Sequence, residues 1–220
     1  MPRKNLRVVG GKHLIAYAIT TALDTEIVDF VAVSTEDEEI ASVSRELGVK
    51  IIKRPDELAS DEVSLPEVTK HAQSVLEAEG ISPKRFISLQ PTGPLITSNS
   101  LTGAIELHER TKCDSVASLV KITHTHPYWS KTFDPVTHRV GNFLNVDVHK
   151  YPQKQDVPPC YMYTGGFYIR KTELLKNSGE FYLGEDIRGY LLPHEETLDI
   201  DDEEDMEYFE YIISRKAQRV

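Results

Sequence analysis

Short β-branched runs alternating with helical patterns constrain this chain's fold more than any other feature. Residues 27–34 (IVDFVAVS) read as a buried strand, and an acid-capped helix follows over residues 36–47 and stops at Gly48. Residues 49–52 form a second strand, residues 65–77 have helical spacing, and residues 85–90 (RFISLQ) form a third strand. Ser98 or Ser100 then caps a helix that runs to about Arg110, and residues 114–120 (DSVASLV) are again a strand. This order predicts an α/β fold with a mostly parallel central sheet and helices on both faces. Ligands of such sheets sit beyond the carboxyl ends of the strands, so the loops after strands are where site residues belong.

From His124 to Pro159 the alternation breaks, and that stretch holds the single tryptophan, Trp129, among several histidines and prolines. We read residues 121–160 as an arm inserted into one domain spanning residues 1–220 and used for dimer contact. Residues 161–170 return as a strand with Gly165-Gly166 inside it. The last helix covers residues 202–215, with Met206, Phe209, Ile212 and Ile213 on one face. No apolar run approaches the roughly 20 residues that a membrane-spanning helix needs, and residues 14–23 read as an ordinary helix. With 35 acidic against 25 basic residues the net charge is -10, which argues against nucleic acid or an anionic membrane as the main partner. Cys113 and Cys160 lack metal-type spacing and read as reduced thiols, so the expected location is cytoplasmic.

Four segments carry chemistry. In an extended Asp199-Ile200-Asp201 the two carboxylates share one strand face while Ile200 points inward, and such a pair suits Mg²⁺. The acids that follow, Asp202 to Asp205, are explained by helix capping and the helix dipole. Gln90 and Thr92 sit in a Pro/Gly turn directly after a strand, where an ordinary turn is the competing reading. Arg54 lies between a strand and a helix, able to bind a nucleotide or to pair with Asp56 or Glu57. Arg3-Lys4-Asn5 makes a basic start. His124-x-His126 lacks a third ligand at useful spacing, and no Walker-type loop, GxSxG or Cys/His nucleophile arrangement occurs.

The order of the blocks is more specific than any one of them. Residues 2–6 (PRKNL), 11–15 (GKHLI), 33–40 (VSTEDEEI), 54–61, 89–95 (LQPTGPL), 126–129 (HPYW), 155–159 (QDVPP), 165–169 (GGFYI) and 199–201 (DID) follow one another as they do in the acylneuraminate cytidylyltransferase family. The chain resembles that family, the CMP-sialic acid synthetases and their legionaminic, pseudaminic and Kdo relatives, over nearly its whole length. The resemblance implies a Rossmann-like nucleotidyltransferase that couples CTP to a nonulosonic sugar acid with Mg²⁺ and releases pyrophosphate. It also implies a homodimer. By position, Lys4 and Asn5 approach the nucleotide, with Lys4 and Asp201 catalytic, and Arg54 holds the base or ribose. Gln90, Thr92 and Tyr168 contact the sugar, Phe181 with Tyr182 reaches a partner's pocket, and Asp199 and Asp201 hold the metal.

Several positions depart from the family pattern. A first strand and an Ala-Arg-x-x-Ser-Lys phosphate loop normally precede the Lys4-Asn5 segment, and without them exposed sheet edges and weak or absent CTP binding are expected. Lys154 stands for a carboxylate-binding arginine, Thr164 for asparagine, Gly166 for alanine, Gly93 for serine and Ile96 for a basic residue. These changes point to a divergent nonulosonate. The alternative reading is a catalytically inactive family member acting as a binding or dimerisation module, and a third is a related enzyme that uses another nucleotide.

Overall fold

The computed structural model of the chain describes residues 1, 3–60, 63–123, 125–175 and 183–218. A turn over Lys4–Leu6 leads into a tiny hairpin, β1 (Val8–Val9) and β2 (Lys12–His13), and then helix α1 (Leu14–Leu23). Strand β3 (Ala32–Thr35), helix α2 (Glu38–Glu46) and strand β4 (Lys50–Lys53) follow. The Asp37 carboxylate accepts from the Glu39 and Ile40 amides at 2.8 and 3.1 Å, which starts α2, and Gly48 at φ +80° ends it. Helix α3 (Leu65–Ala78) begins at Ser64, whose amide and hydroxyl both donate to Glu67. Strand β5 (Arg85–Leu89), helix α4 (Ser98–Thr111) and strand β6 (Ser115–Lys121) complete the alternating part. The cap of α4 is Thr97 rather than Ser98 or Ser100: its hydroxyl accepts from the Ser100 amide at 3.3 Å. Thr97 also donates to the buried Glu196 carboxylate, which fixes the helix start one residue early.

The arm contains a hairpin of β7 (Lys131–Phe133) and β8 (Val140–Asn142) with irregular turns on either side. Strand β9 (Tyr161–Lys171) then runs antiparallel to both β5 and β6. Strand β10 (Ile187–Leu191) lies parallel to β6, and helix α5 (Glu203–Ala217) closes the described chain. The α/β architecture read from the sequence is therefore present. Strands β5, β6 and β10 run one way in the order β10-β6-β9-β5, with β9 against them.

Strands β3 and β4 form a separate parallel pair, so the sheet is in two pieces. Residues 27–31, expected to belong to the strand, are irregular up to Ala32. The Val31 carbonyl accepts from the Lys50 amide at 3.3 Å, but no described strand lies on the other side to continue a ladder. Helices nevertheless cover both faces of the gap. Ile15 and Ile19 of α1 pack on the side of Val31 and Val33, while Ala72 and Leu76 of α3 pack on the side of Ala32 and Phe86. A third cluster joins α4 to β6 and β9 through Leu101, Ile105, Val116, Phe167 and Ile169. The fourth gathers Leu14, Leu95, Ile200, Met206 and Phe209, and the Tyr17 ring meets Phe209 edge-on at 5.1 Å.

Candidate functional site

Residues 199–201 arrive beside the turn after β5 because the Ile200 amide donates to the Thr92 carbonyl at 2.9 Å. Ile200 is fully buried, as alternation demands, leaving Asp199 half-buried and Asp201 exposed. The N-terminal turn meets them from the other side. Lys4 Nζ donates to the Ile200 carbonyl at 2.9 Å and lies 3.5 Å from Asp201 Oδ1. A cation and two carboxylates from opposite ends of the chain thus share one corner. Asp205 accepts from the Asp201 and Asp202 amides, and Asp202 accepts from the Asp205 amide, so these two acids cap α5.

Asp199 also faces the bend in β9. Gly165 holds φ +73°, and a Cβ there would stand 3.4 Å from Asp199 Oδ2. The bend is shaped by Ser118, whose hydroxyl accepts from Thr164 Oγ1 at 2.7 Å and from the Phe167 amide at 3.1 Å, next to a register shift between Ala117 and Leu119. Ser118 was not singled out from the sequence, where it reads as one more polar residue in a strand.

Asn5, Arg54 and Gln90 meet at a neighbouring feature, a cavity of about 470 Å³ between β3 and β5. Arg54 is held there by Glu36, which accepts from Nε at 2.8 Å and from the second guanidinium nitrogen. It does not pair with Asp56 or Glu57 in the described contacts; Glu36, at the end of β3, is nearer its guanidinium. Asn5 Oδ1 and Ser34 Oγ, both in this wall, are out of solvent with no hydrogen-bond partner among the described residues. Arg3, just ahead, pairs with Glu39 and Asp37; the hydrogen bond to Glu39 chiefly raises its pKa.

Other expected residues are placed as follows. Tyr168 on β9 lies opposite Ser88 and Ala117, with its ring 6.4 Å from that of Tyr163. Lys154 begins a short turn of the arm, and its side chain, like Phe181, Tyr182 and His124 as a whole, lies outside what is described. His126 is occupied structurally: Nε2 lies 3.1 Å from the Pro158 carbonyl and Nδ1 accepts from the Tyr128 amide. Three departures from the family pattern prove to be one cluster. Ile96 is buried, and a Cβ on Gly166 would approach its Cδ1 to 2.5 Å, one on Gly93 to 3.1 Å. The buried apolar side chain at position 96 therefore goes with the loss of side chains at 93 and 166.

Among the described residues no group of three or more His, Cys, Asp or Glu side chains could hold a metal. Asp199 and Asp201 supply two carboxylates, a donor set that suits Mg²⁺ when substrate phosphates and water complete the shell. No described helix is long and apolar enough to cross a membrane.

A family model described as cytidylyltransferase matches residues 1–216. The chain is 29% identical over 205 residues to an N-acylneuraminate cytidylyltransferase of Escherichia coli O18:K1:H7, covering 93% of this chain and 46% of that protein, about half its length. It is 28% identical over 203 residues to the CMP-N,N'-diacetyllegionaminic acid synthase of Legionella pneumophila, covering 91% of this chain and 85% of that one. Among solved structures, a CMP:2-keto-3-deoxy-manno-octonic acid synthetase complexed with CTP superposes with a TM-score of 0.71 at 16% identity, covering 98% and 93% of the two chains. That likeness concerns the fold.

Proposed function

Because this chain belongs to the cytidylyltransferase family, we propose that it couples CTP to a nonulosonic sugar acid, giving a CMP-sugar and pyrophosphate. The observation that carries the reading is the meeting of Lys4 with Ile200 and Asp201 beside the turn that bears Gln90 and Thr92. The curated relatives named above act on sugar acids of this class. The sugar's anomeric hydroxyl would attack the α-phosphate of CTP. That step needs alignment and charge stabilisation more than a covalent nucleophile.

Each residue has a part in that task. Lys4 offers a positive charge held in place by the Ile200 carbonyl, ready to move from Asp201 to a phosphate oxygen. Asn5 and Arg54 stand where the nucleoside would lie, and Gln90, Thr92, Tyr168 and Lys154 would orient the sugar acid, with Phe181 approaching from the partner. Asp199 and Asp201 would hold Mg²⁺, which when bound supplies charge to the phosphates. Phe133, Val136, Val140 and Phe143 of the arm are exposed, and this apolar surface supports the homodimer reading. Free Cys113 and Cys160 support a cytoplasmic location.

The test is pyrophosphate release from CTP and Mg²⁺ with sialic, legionaminic, pseudaminic and Kdo acids. Release with one of them is expected, and Asp201→Ala should lower it by about 10²–10³-fold, the range for losing one charge-stabilising group. Full activity in Asp201→Ala would remove Asp201 from the machinery. The gap in the sheet favours a second reading, an inactive member that binds or dimerises; silence of the chain across the whole panel would support it.

A further inference from the structure

We propose that Glu196 is a positioning residue of the site. It latches the segment that ends in Asp199-Ile200-Asp201 to the turn that bears Gln90 and Thr92, and so sets how the two halves of the site face each other. The proposal rests on the cytidylyltransferase reading given above and adds a residue to it.

The segment from β10 to α5 touches the body of the protein at every fourth residue. Leu192, Glu196 and Ile200 are buried, while Pro193, His194 and Glu195 are exposed. The first contact is to the sheet, where the Leu192 amide donates to the Leu119 carbonyl at 2.9 Å. The other two are to a single turn. Glu196 Oε2 accepts from the Thr97 amide at 3.1 Å and Oε1 from the Thr97 hydroxyl at 3.0 Å. The Ile200 amide donates to the Thr92 carbonyl at 2.9 Å. Residues 92–97 and 196–200 are thus closed into a ring by a tie at each end, with Asp199 inside the ring and Asp201 one residue beyond it. The turn is the fixed side of this ring. The Gln90 amide bonds to the Gly166 carbonyl, and the Thr21 hydroxyl of α1 donates to the Ile96 carbonyl, each at 2.9 Å. Among the described residues, Glu196 makes the only side-chain hydrogen bonds from residues 193–198 to another element.

Comparison with the other helix starts shows what is unusual. The Thr97 hydroxyl caps α4 by accepting from the Ser100 amide at 3.3 Å. A carboxylate that reaches back to the cap amide completes a capping box, and a helix ordinarily supplies it from its own third residue. Helices α3 and α5 do so, with Glu67 and Asp205. In α4 the third residue is Ser100, and the acid comes instead from 99 positions away and is buried. Burying a carboxylate costs desolvation that an acid on the helix's own surface avoids. What the distant acid adds is the tie between two segments. Nucleotidyl transfer depends on alignment, and removing a partner that orients liganding carboxylates typically costs about 10–100-fold.

The experiment compares Glu196→Ala, Glu196→Gln and Thr97→Val with the parent chain, well below each melting temperature. Hydrogen exchange at the Ile200 amide is read relative to Val116 on the interior strand β6, and kcat and KM are read with CTP, Mg²⁺ and the sugar acid that the parent accepts. In Glu196→Ala the Ile200 amide should exchange about tenfold faster or more relative to Val116. Its kcat should fall about 10–100-fold, with the KM values for both substrates within about threefold of the parent's. Glu196→Gln keeps an oxygen for the Thr97 amide and should lie between the parent and Glu196→Ala in both readouts. Should Glu196→Ala not fold, Thr97→Val carries the test, because it removes the hydroxyl bond and leaves residues 193–201 untouched; exchange at Ile200 about threefold faster or more is then expected. Acceleration confined to Ser100, with Ile200 at the parental ratio, would make Glu196 a helix cap only and overturn the proposal. A parental kcat in Glu196→Ala would also overturn it. A parent that releases no pyrophosphate with any sugar acid would defeat the proposed function by itself, and exchange at Ile200 would still decide whether Glu196 is the latch.

Discussion

Replacing Ile200 by alanine tests whether the buried residue between the two carboxylates anchors the site. Ile200 has no exposed surface and lies among Val9, Leu14, Leu95, Met206 and Phe209. The change removes three carbons, about 2.4 kcal/mol of transfer free energy at ~0.8 kcal/mol per carbon. A cavity of roughly 60–80 Å³ that stays open would add about 1.5–2 kcal/mol. The expected loss is therefore about 2.5–4.5 kcal/mol, or roughly 5–18 °C in melting temperature for a chain of this size. Ile200→Val should cost only about 1 kcal/mol. The assay is urea unfolding followed by far-UV circular dichroism, with the denaturant slope compared between variants. Asp201→Ala is the companion: its carboxylate is 79% exposed, so its stability should stay within about 0.5 kcal/mol of the parent. An Ile200→Ala protein within 1 kcal/mol of the parent at unchanged slope would refute the reasoning. Residues 199–201 would then not be held by the core.

Two further outcomes follow from the geometry. Asp114 accepts from Lys171 Nζ at 2.9 Å and from the Asp186 and Glu185 amides at 3.1 and 3.0 Å, which together hold its pKa at about 2. A carboxylate depressed below its unfolded value of about 3.9 stabilises the fold fully above that value, and its contribution fades as pH falls through about 2. Asp114→Asn should therefore be less stable than the parent at pH 7, with the gap narrowing from about pH 4 downward; urea midpoints at pH 7, 5, 4 and 3 check this, and a constant gap would contradict it. Gly165→Ala should cost about 1–2 kcal/mol from the left-handed backbone alone, with its Cβ 3.4 Å from Asp199 Oδ2. A melting temperature equal to the parent's would mean that the bend in β9 relaxes.

The split sheet explains why one strand expected from the sequence is cut short. Residues 27–34 have the composition of a strand buried on both faces, yet only Ala32–Thr35 form one. Composition records burial, whereas a strand also needs a neighbour on its edge, and at residues 27–31 only a slot is present. Strand β10 was not foreseen, because Gly189 and Arg188 dilute its pattern and its pairing with β6 joins residues about 70 apart. The start of α4 moved to Thr97 because Glu196, 99 residues later, bonds to it.

What the sequence alone determined is local or ordered along the chain. It includes the α/β alternation, an acid cap for the helix after β3, the capping acids that begin at Asp202, the inward Ile200 between two outward acids, and the series of blocks that matched a family. These follow from periodicity, side-chain chemistry and order, all of which are linear properties. Only the tertiary structure decided that Lys4 rests on the Ile200 carbonyl, that Arg54 answers to Glu36, and that Gly93, Gly166 and Ile96 fill one space. It also decided that β3 and β5 face each other across a gap. The physical reason is that these depend on the distance and packing between residues far apart in sequence, which periodicity does not encode.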